Sequence, residues 1–325
     1  MKKLSVYFLC FFMAVAVSLA YAAEEKKPKG DLRLLAKKVS AAPADANSPQ
    51  WKEAAESKLV FEGAGTFENK LLNVSAKAVY TKDEMFLLFV WSDDEESLVK
   101  GAWKLQGGKW VKQKGDEDRL GITWEINRID KFATKGCAIL CHNESKNKED
   151  WYYAVNSPAE KGDMWHWKAY RSNPMGYADD GYVTVGKKPE EGRKGDAGTG
   201  KAKKNMTTDK SKPAFMQDPN KPASIKGFLL ADEAVEIKDY SKFKGGDQIP
   251  QHMLSKFGGS FGDVKAKGVW KDKKWMLMLQ RKLNTGHEDD VVFNPDKVYT
   301  FGVAVFNNSH DEDSYNSAPL KLEFK

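Results

Sequence analysis

The sequence predicts a mainly β protein, an antiparallel β-sandwich with a long central loop insertion. Three observations predict it: short apolar runs that alternate with polar residues, turn-forming residues between them, and a scarcity of helical periodicity. Ala76, Ala78 and Tyr80 alternate with polar partners ahead of the turn Thr81-Lys82-Asp83-Glu84, which marks a strand entering a hairpin. Residues 85–91 are a continuous apolar run between that turn and Ser92-Asp93-Asp94, the pattern of a strand buried on both faces.

Two short strands around Trp103 and Trp110 flank Gln106-Gly107-Gly108, and Leu120, Ile122, Trp124 and Ile126 alternate cleanly. A second block runs through Asp163-Met164-Trp165-His166-Trp167-Lys168-Ala169 and residues 182–185. Residues 186–226 then turn to Gly, Lys, Pro, Asp and Thr, an insertion rich in loops. After it come the hairpin around Asp272-Lys273, the run 298–306, and a last strand of Leu320, Leu322 and Phe324. Residues 50–59 and 251–257 are expected as short helices. Neither strand block closes a core alone, so residues 49–325 are expected as one sandwich domain.

Lys2 and Lys3, an apolar run to about Leu19, and Ala20-Tyr21-Ala22 read as a secretory signal over residues 1–22. A membrane span needs roughly 20 apolar residues with suitable flanks, so no span is expected after cleavage, and the compartment is expected to be the periplasm. Cys10 leaves with the signal. Residues 23–48, rich in Lys, Ala, Glu and Pro without an apolar period, are expected as a flexible segment.

Removing Lys2 and Lys3 lowers the formal charge from +6 to +4, too little over such a chain to mark a nucleic-acid partner. The mean hydropathy of −0.61 comes from lysine-rich connections, because ten tryptophans and seventeen phenylalanines suffice for a core. Among enzyme signatures, a phosphate loop and His-Glu-x-x-His are absent. Asp179-Asp180 and Asp289-Asp290 are adjacent pairs whose members would face opposite ways on a strand, so they read as turn carboxylates rather than an acid–base couple.

The segment Gly136-Cys137-Ala138-Ile139-Leu140-Cys141-His142 carries the chemistry. Covalent haem attachment uses two cysteines with a histidine directly after the second. Three residues stand between the cysteines here instead of the usual two, which widens the loop and keeps His142 beside Cys141. One haem per chain is therefore expected, with His142 on the iron. A Cys137–Cys141 disulfide in a tryptophan-rich ligand-binding module is the alternative, and a zinc site lacks a second ligand pair. For the iron's other side the candidates are Met164, His166, His310, His252, Met253, His287 and a lysine. Met164, His166 and Lys168 share one face of a strand, with Trp165 and Trp167 on the other. These two indoles are candidates for the haem shell as well as for the core.

Asp118-Arg119-Leu120 with Trp124 and Ile126, the cysteine segment, residues 163–169, Arg171, Pro174 and Ala178-Asp179-Asp180 together resemble the ethylbenzene dehydrogenase-related haem-binding domain. Trp270, Trp275, Arg281 and Gly302-Val303-Ala304-Val305-Phe306 continue the likeness, which spans about residues 50–325. The resemblance implies a sandwich with haem at one end, as in the γ subunits of molybdenum enzymes of the dimethyl sulfoxide reductase class. Those subunits hold haem non-covalently through methionine and lysine, whereas the cysteine pair fits a branch with covalent haem. An electron-transfer protein rather than an enzyme is expected, with a molybdenum enzyme or another cytochrome as redox partner.

Overall fold

The computed structural model describes residues 30–141, 150, 153–187, 191–309 and 314–325, so the expected signal over 1–22 lies outside the described residues. No helix among the described residues is long and apolar enough to cross a membrane.

The strands in chain order begin with β1 (Arg33–Lys38), β2 (Ser57–Gly63), β3 (Leu71–Tyr80), β4 (Glu84–Ser92), β5 (Trp103–Gln106), β6 (Lys109–Lys112) and β7 (Arg119–Asn127). Two four-residue helices follow, α1 (Phe132–Lys135) and α2 (Ala138–Cys141), then β8 (Lys161–Lys168), β9 (Asp179–Val183) and β10 (Arg193–Gly195). An excursion carries β11 (Gly198–Thr199), β12 (Lys203–Lys204), β13 (Phe215–Gln217), β14 (Ala234–Glu236), β15 (Gln248–Ile249), β16 (His252–Met253) and β17 (Gly258–Gly259). The chain closes with β18 (Lys265–Lys271), β19 (Lys274–Lys282), β20 (Tyr299–Phe306), β21 (Ser314–Ser317) and β22 (Leu320–Phe324).

The main ladder runs β10-β9-β8-β7-β20-β21-β2-β3-β4-β19-β18, and β22 links β20 to β1, which pairs in parallel with β3. It folds over at β20–β22 into two layers. Period-two alternation sends Trp165 and Trp167 of β8 inward, where Trp167 meets Trp91 of β4 at 6.1 Å and Trp275 of β19 at 4.9 Å between ring centroids. Trp124 of β7 stacks on Phe301 of β20 at 4.5 Å. Each such pair adds about 0.5–1.5 kcal/mol beyond the area it buries.

β4 is central, between β3 and β19, and buried on both faces. Met85, Leu87, Phe89 and Trp91 face the main core, while Phe86 and Leu88 meet Val39, Trp51 and Met278. That second layer corrects the expectation for residues 23–48. Residues 33–38 form β1, with Leu34 and Ala36 fully buried, and Val39 lies under β4. Only two inward side chains followed by Lys37-Lys38 make too short an apolar signal to read, and the pairing partners are distant in sequence.

Two helix expectations also fail. Residues 49–52 make a single 3-10 turn before β2, and residues 251–257 contain β16 with irregular backbone. The excursion spans residues 196–264, longer than the 186–226 expected, and is built from two- and three-residue ladders. Its order comes from polar contacts that leave no periodic trace. Asn205, fully buried, donates to Phe215 O and Pro250 O and accepts from the amides of Ala214 and Phe215. The expected hairpins are present, β3–β4 across residues 81–83 and two more with positive φ at Gly107 (56°) and Gly108 (77°), and at Asp272 (52°) and Lys273 (57°), as twisted two-residue turns require.

Candidate functional site

After β7 the chain leaves the sheet and lays α1 and α2 against its outer face. Gly136, at φ 65°, ends α1 in a conformation that favours glycine and turns the chain back. Cys137 follows, 3 % exposed, and packs on the bare Cα of Gly302 in β20. Around it Phe132, Ile139, Leu140, Val155, Val183 and Met164 form an apolar cluster separate from the main core, with Tyr153 against it. Cys141 closes α2.

The floor of this face is unusually bare. Register places Gly302 opposite Thr123, Thr123 opposite Met164, and Met164 opposite Gly181; the next row is Ala304, Gly121, His166 and Asp179. Side chains directly opposite share a face, so Met164 and His166 rise from a strip of glycine and alanine. Tyr153 closes over Thr123 through a hydroxyl–hydroxyl hydrogen bond.

His166 is 5 % exposed, its ring 5.9 Å from that of Phe306. Arg193 of β10 donates from Nη2 to its Nδ1. Burial, and then the charges of Lys168, Arg193, Arg119 and Arg171, hold the imidazole well below its usual pKa, so it is neutral. A guanidinium only donates, so Nδ1 accepts and the ring proton sits on Nε2. That Nε2–H meets no acceptor among the described residues. Beside it Lys168 pairs with Asp179, and burial, the largest influence, brings its ammonium down to about 8. Arg119 lies over Phe306, 5.0 Å from the ring centroid, and Arg171 pairs with Glu117, which also accepts from the amides of Tyr170 and Arg171. The face therefore offers an apolar wall at the Cys137 end and buried donors at the other.

The structure brings Cys137 and Met164 into one cluster and puts His166 two positions further along the same strand face. His142 and His310 lie outside the described residues. His252 stands in the excursion against Tyr170, rings 6.2 Å apart, and His287 is exposed, bonded through Nδ1 to Asp263 at 2.7 Å. Of the two roles open to Trp165 and Trp167, haem shell or core, they take the core, because strand alternation turns them away from Met164. Sequence reasoning missed Arg193 and Gly302, which reach the site only through strand pairing. Asp180, read as a turn carboxylate, lies in β9, Asp290 does lie in a loop, and the burial of both, 1 % and 3 % exposed, was not foreseen.

By its fold the protein is of the antiparallel β-sandwich class. Residues 48–318 match the family described as ethylbenzene dehydrogenase, and the chain belongs to that family. No curated protein matches the sequence. Similar solved structures include a family 9 carbohydrate-binding module from Caldicellulosiruptor kristjanssonii in complex with glucose, at 8 % identity and TM-score 0.35, covering 90 % of this chain and 95 % of that one. Another is a protein from Bacteroides uniformis described as carbohydrate-binding, also at 8 % identity and TM-score 0.35, covering 91 % of this chain and 100 % of the other. Likeness at this level carries no weight for the ligand.

Proposed function

We propose that the chain is an exported c-type cytochrome that holds one haem covalently and passes electrons to or from a redox partner, a molybdenum enzyme or another cytochrome. The observation that carries this reading is Cys137, buried in an apolar cluster with Met164 on the bare outer face of the sheet. Bound there, the haem would supply a one-electron couple at its iron.

Cys137 and Cys141 would carry the two thioethers, each thiol adding across a vinyl group with no oxidant needed. His142 would hold the iron on one side. Met164 is the better second ligand than His166, because the Arg193 bond leaves His166 Nε2 protonated, without the lone pair a metal needs. His310 stays a candidate by sequence. The His166 N–H and the Arg193 guanidinium suit an anionic oxygen, as a haem propionate provides. Phe132, Ile139, Leu140 and Val155 would exclude water, and histidine–methionine ligation favours a higher potential than two histidines.

The alternative, a tryptophan platform for a sugar, draws little support from the described residues. Among the described tryptophans only Trp110 and Trp270 are not buried. Mass spectrometry of natively exported protein tests the proposal, with a porphyrin mass expected on the peptide holding Cys137 and Cys141. An unmodified peptide, or a disulfide between the two cysteines, would overturn it.

A further inference from the structure

Buried between the two layers, on the opposite side of β8 from Met164, lies a set of carboxylates that electron transfer does not use. Asp163 of β8 is fully buried, Asp180 of β9 is 1 % exposed, and Asp290, in the loop before β20, is 3 % exposed. One oxygen from each lies within 4.8 Å of the others. Among the described residues one guanidinium faces them: Arg281 of β19, fully buried, donates to Asp163 Oδ2 and to Val291 O, and its Nη1 is 3.8 Å from Asp290 Oδ1, while the exposed His287 brings Nδ1 to 3.8 Å from Asp290 Oδ2.

Three carboxylates against one guanidinium leave two negative charges in a site without access to water. Burying unpaired charge is costly enough that such groups are neutralised, by protons or by a metal. Both oxygens of Asp290 lack a hydrogen-bond partner among the described residues, and so do Asp163 Oδ1 and Asp180 Oδ2. The sister oxygens of these last two are committed, Asp163 Oδ2 to Arg281 and the Val291 amide at 3.0 Å, and Asp180 Oδ1 to the Gly181 amide at 3.0 Å. So Asp163 and Asp180 are each oriented with one oxygen held and one left over, as a preset ligand is, and Asp290 has both oxygens left over.

We propose that Asp163, Asp180 and Asp290 bind a hard divalent cation of the calcium type. All the donors are oxygens, and a dication cancels the excess charge. Calcium accepts six to eight oxygens in flexible geometry, whereas magnesium demands near-ideal octahedral placement, so irregularly spaced carboxylates favour calcium. A second triad, Asp196, Asp289 and Asp290, shares Asp290 and extends the acidic lining toward the first residues of the excursion. Asp196 is also joined to Ser260 at 3.3 Å, so the bound cation ties β8, β9 and the loop before β20 to the start and end of the excursion.

The test is isothermal titration of CaCl2 into the full-length, matured protein after chelator treatment, with thermal unfolding in CaCl2 and in chelator. Saturable binding of one calcium per chain is expected, tighter than magnesium. Its Tm rise should be about 5–10 °C at a concentration 100-fold above Kd. Asp180→Asn and Asp290→Asn should each weaken binding at least about tenfold and remove the Tm rise, while Asp94→Asn, at an exposed carboxylate, should change neither. No saturable heat in the parent protein together with equal Tm in CaCl2 and chelator would overturn the site, in favour of shared protons. Undiminished binding in both variants, or magnesium binding as tight as calcium, would overturn the assignment as well. Should a variant not fold, the parent titration still decides.

Discussion

Cys137 rests on Gly302: a Cβ placed at Gly302 would come 2.7 Å from the Cys137 amide nitrogen, 2.8 Å from its Cβ and 3.0 Å from its Sγ. No rotamer of an added methyl relieves a backbone contact, so the segment carrying the first cysteine must lift off the sheet. Gly302→Ala is expected to cost about 1–3 kcal/mol in denaturant unfolding, as overpacking does. It should also lower the haem-to-protein ratio of exported material. Gly121, on the same floor, is the control, because its nearest neighbour to an added Cβ is Phe306 at 3.9 Å. Gly121→Ala should stay within about 0.5 kcal/mol of the parent and keep its haem. Equal behaviour of the two variants would count against close packing of Cys137 as a requirement.

Trp167 stands between Trp91 and Trp275 and donates from its indole to Asn173 Oδ1 at 3.0 Å. Trp167→Ala is expected to cost about 3–5 kcal/mol, the usual range for emptying a large aromatic site in a core. A haem-shell residue would instead move the absorption spectrum. Trp167→Phe should leave the haem bands in place while lowering the unfolding midpoint, and a shifted Soret band would return the indole to the haem's surroundings.

Much of the sandwich is legible in the sequence because β4, β7 and β8 are long enough for alternation to show. The inward Trp165 and Trp167 against the outward Met164 and His166 follow from period two alone. β1 is not legible, since Leu34 and Ala36 gain their burial from β22 and β3 at the far ends of the chain. The same distance hides half of the site. Arg193 opens β10 and reaches His166 because β10 pairs with β9 and β9 with β8, a relation no local pattern encodes. Gly302 reads as an ordinary small residue in an apolar run until Cys137 is laid on it. The cysteine motif was visible as chemistry; the bare floor beneath it was not.

His252 supplies a pH dependence. Burial first, then Arg171, Lys100, Lys204 and Lys168, bring its pKa down to about 3, from 6.5. Between those values the unfolded chain binds a proton that the folded chain refuses, so stability falls as the pH is lowered from about 6.5 toward 3. The slope for one such group approaches about 1.4 kcal/mol per pH unit. His252→Gln, which cannot titrate, should flatten the profile of unfolding free energy against pH in that window. An unchanged slope would mean that the imidazole finds a proton without unfolding.

Met164 and His166 make opposite predictions for the iron. Both stand on the outer face of β8, but His166 receives Arg193 on Nδ1 and presents a proton at Nε2, while Met164 offers sulfur lone pairs inside the cluster that holds Cys137. In haem-loaded protein, Met164→Ala should open the sixth position, giving a high-spin spectrum and binding of carbon monoxide. His166→Ala should keep the low-spin spectrum and the methionine signature in near-infrared magnetic circular dichroism. It should weaken only what the Nε2–H holds, seen as a change in the pH dependence of the reduction potential where a propionate loses its donor. The reverse pattern, with His166→Ala opening the iron and Met164→Ala leaving it closed, would require Arg193 to release Nδ1 on haem binding, and an Arg193→Gln variant would then bind haem with the spectrum of the parent.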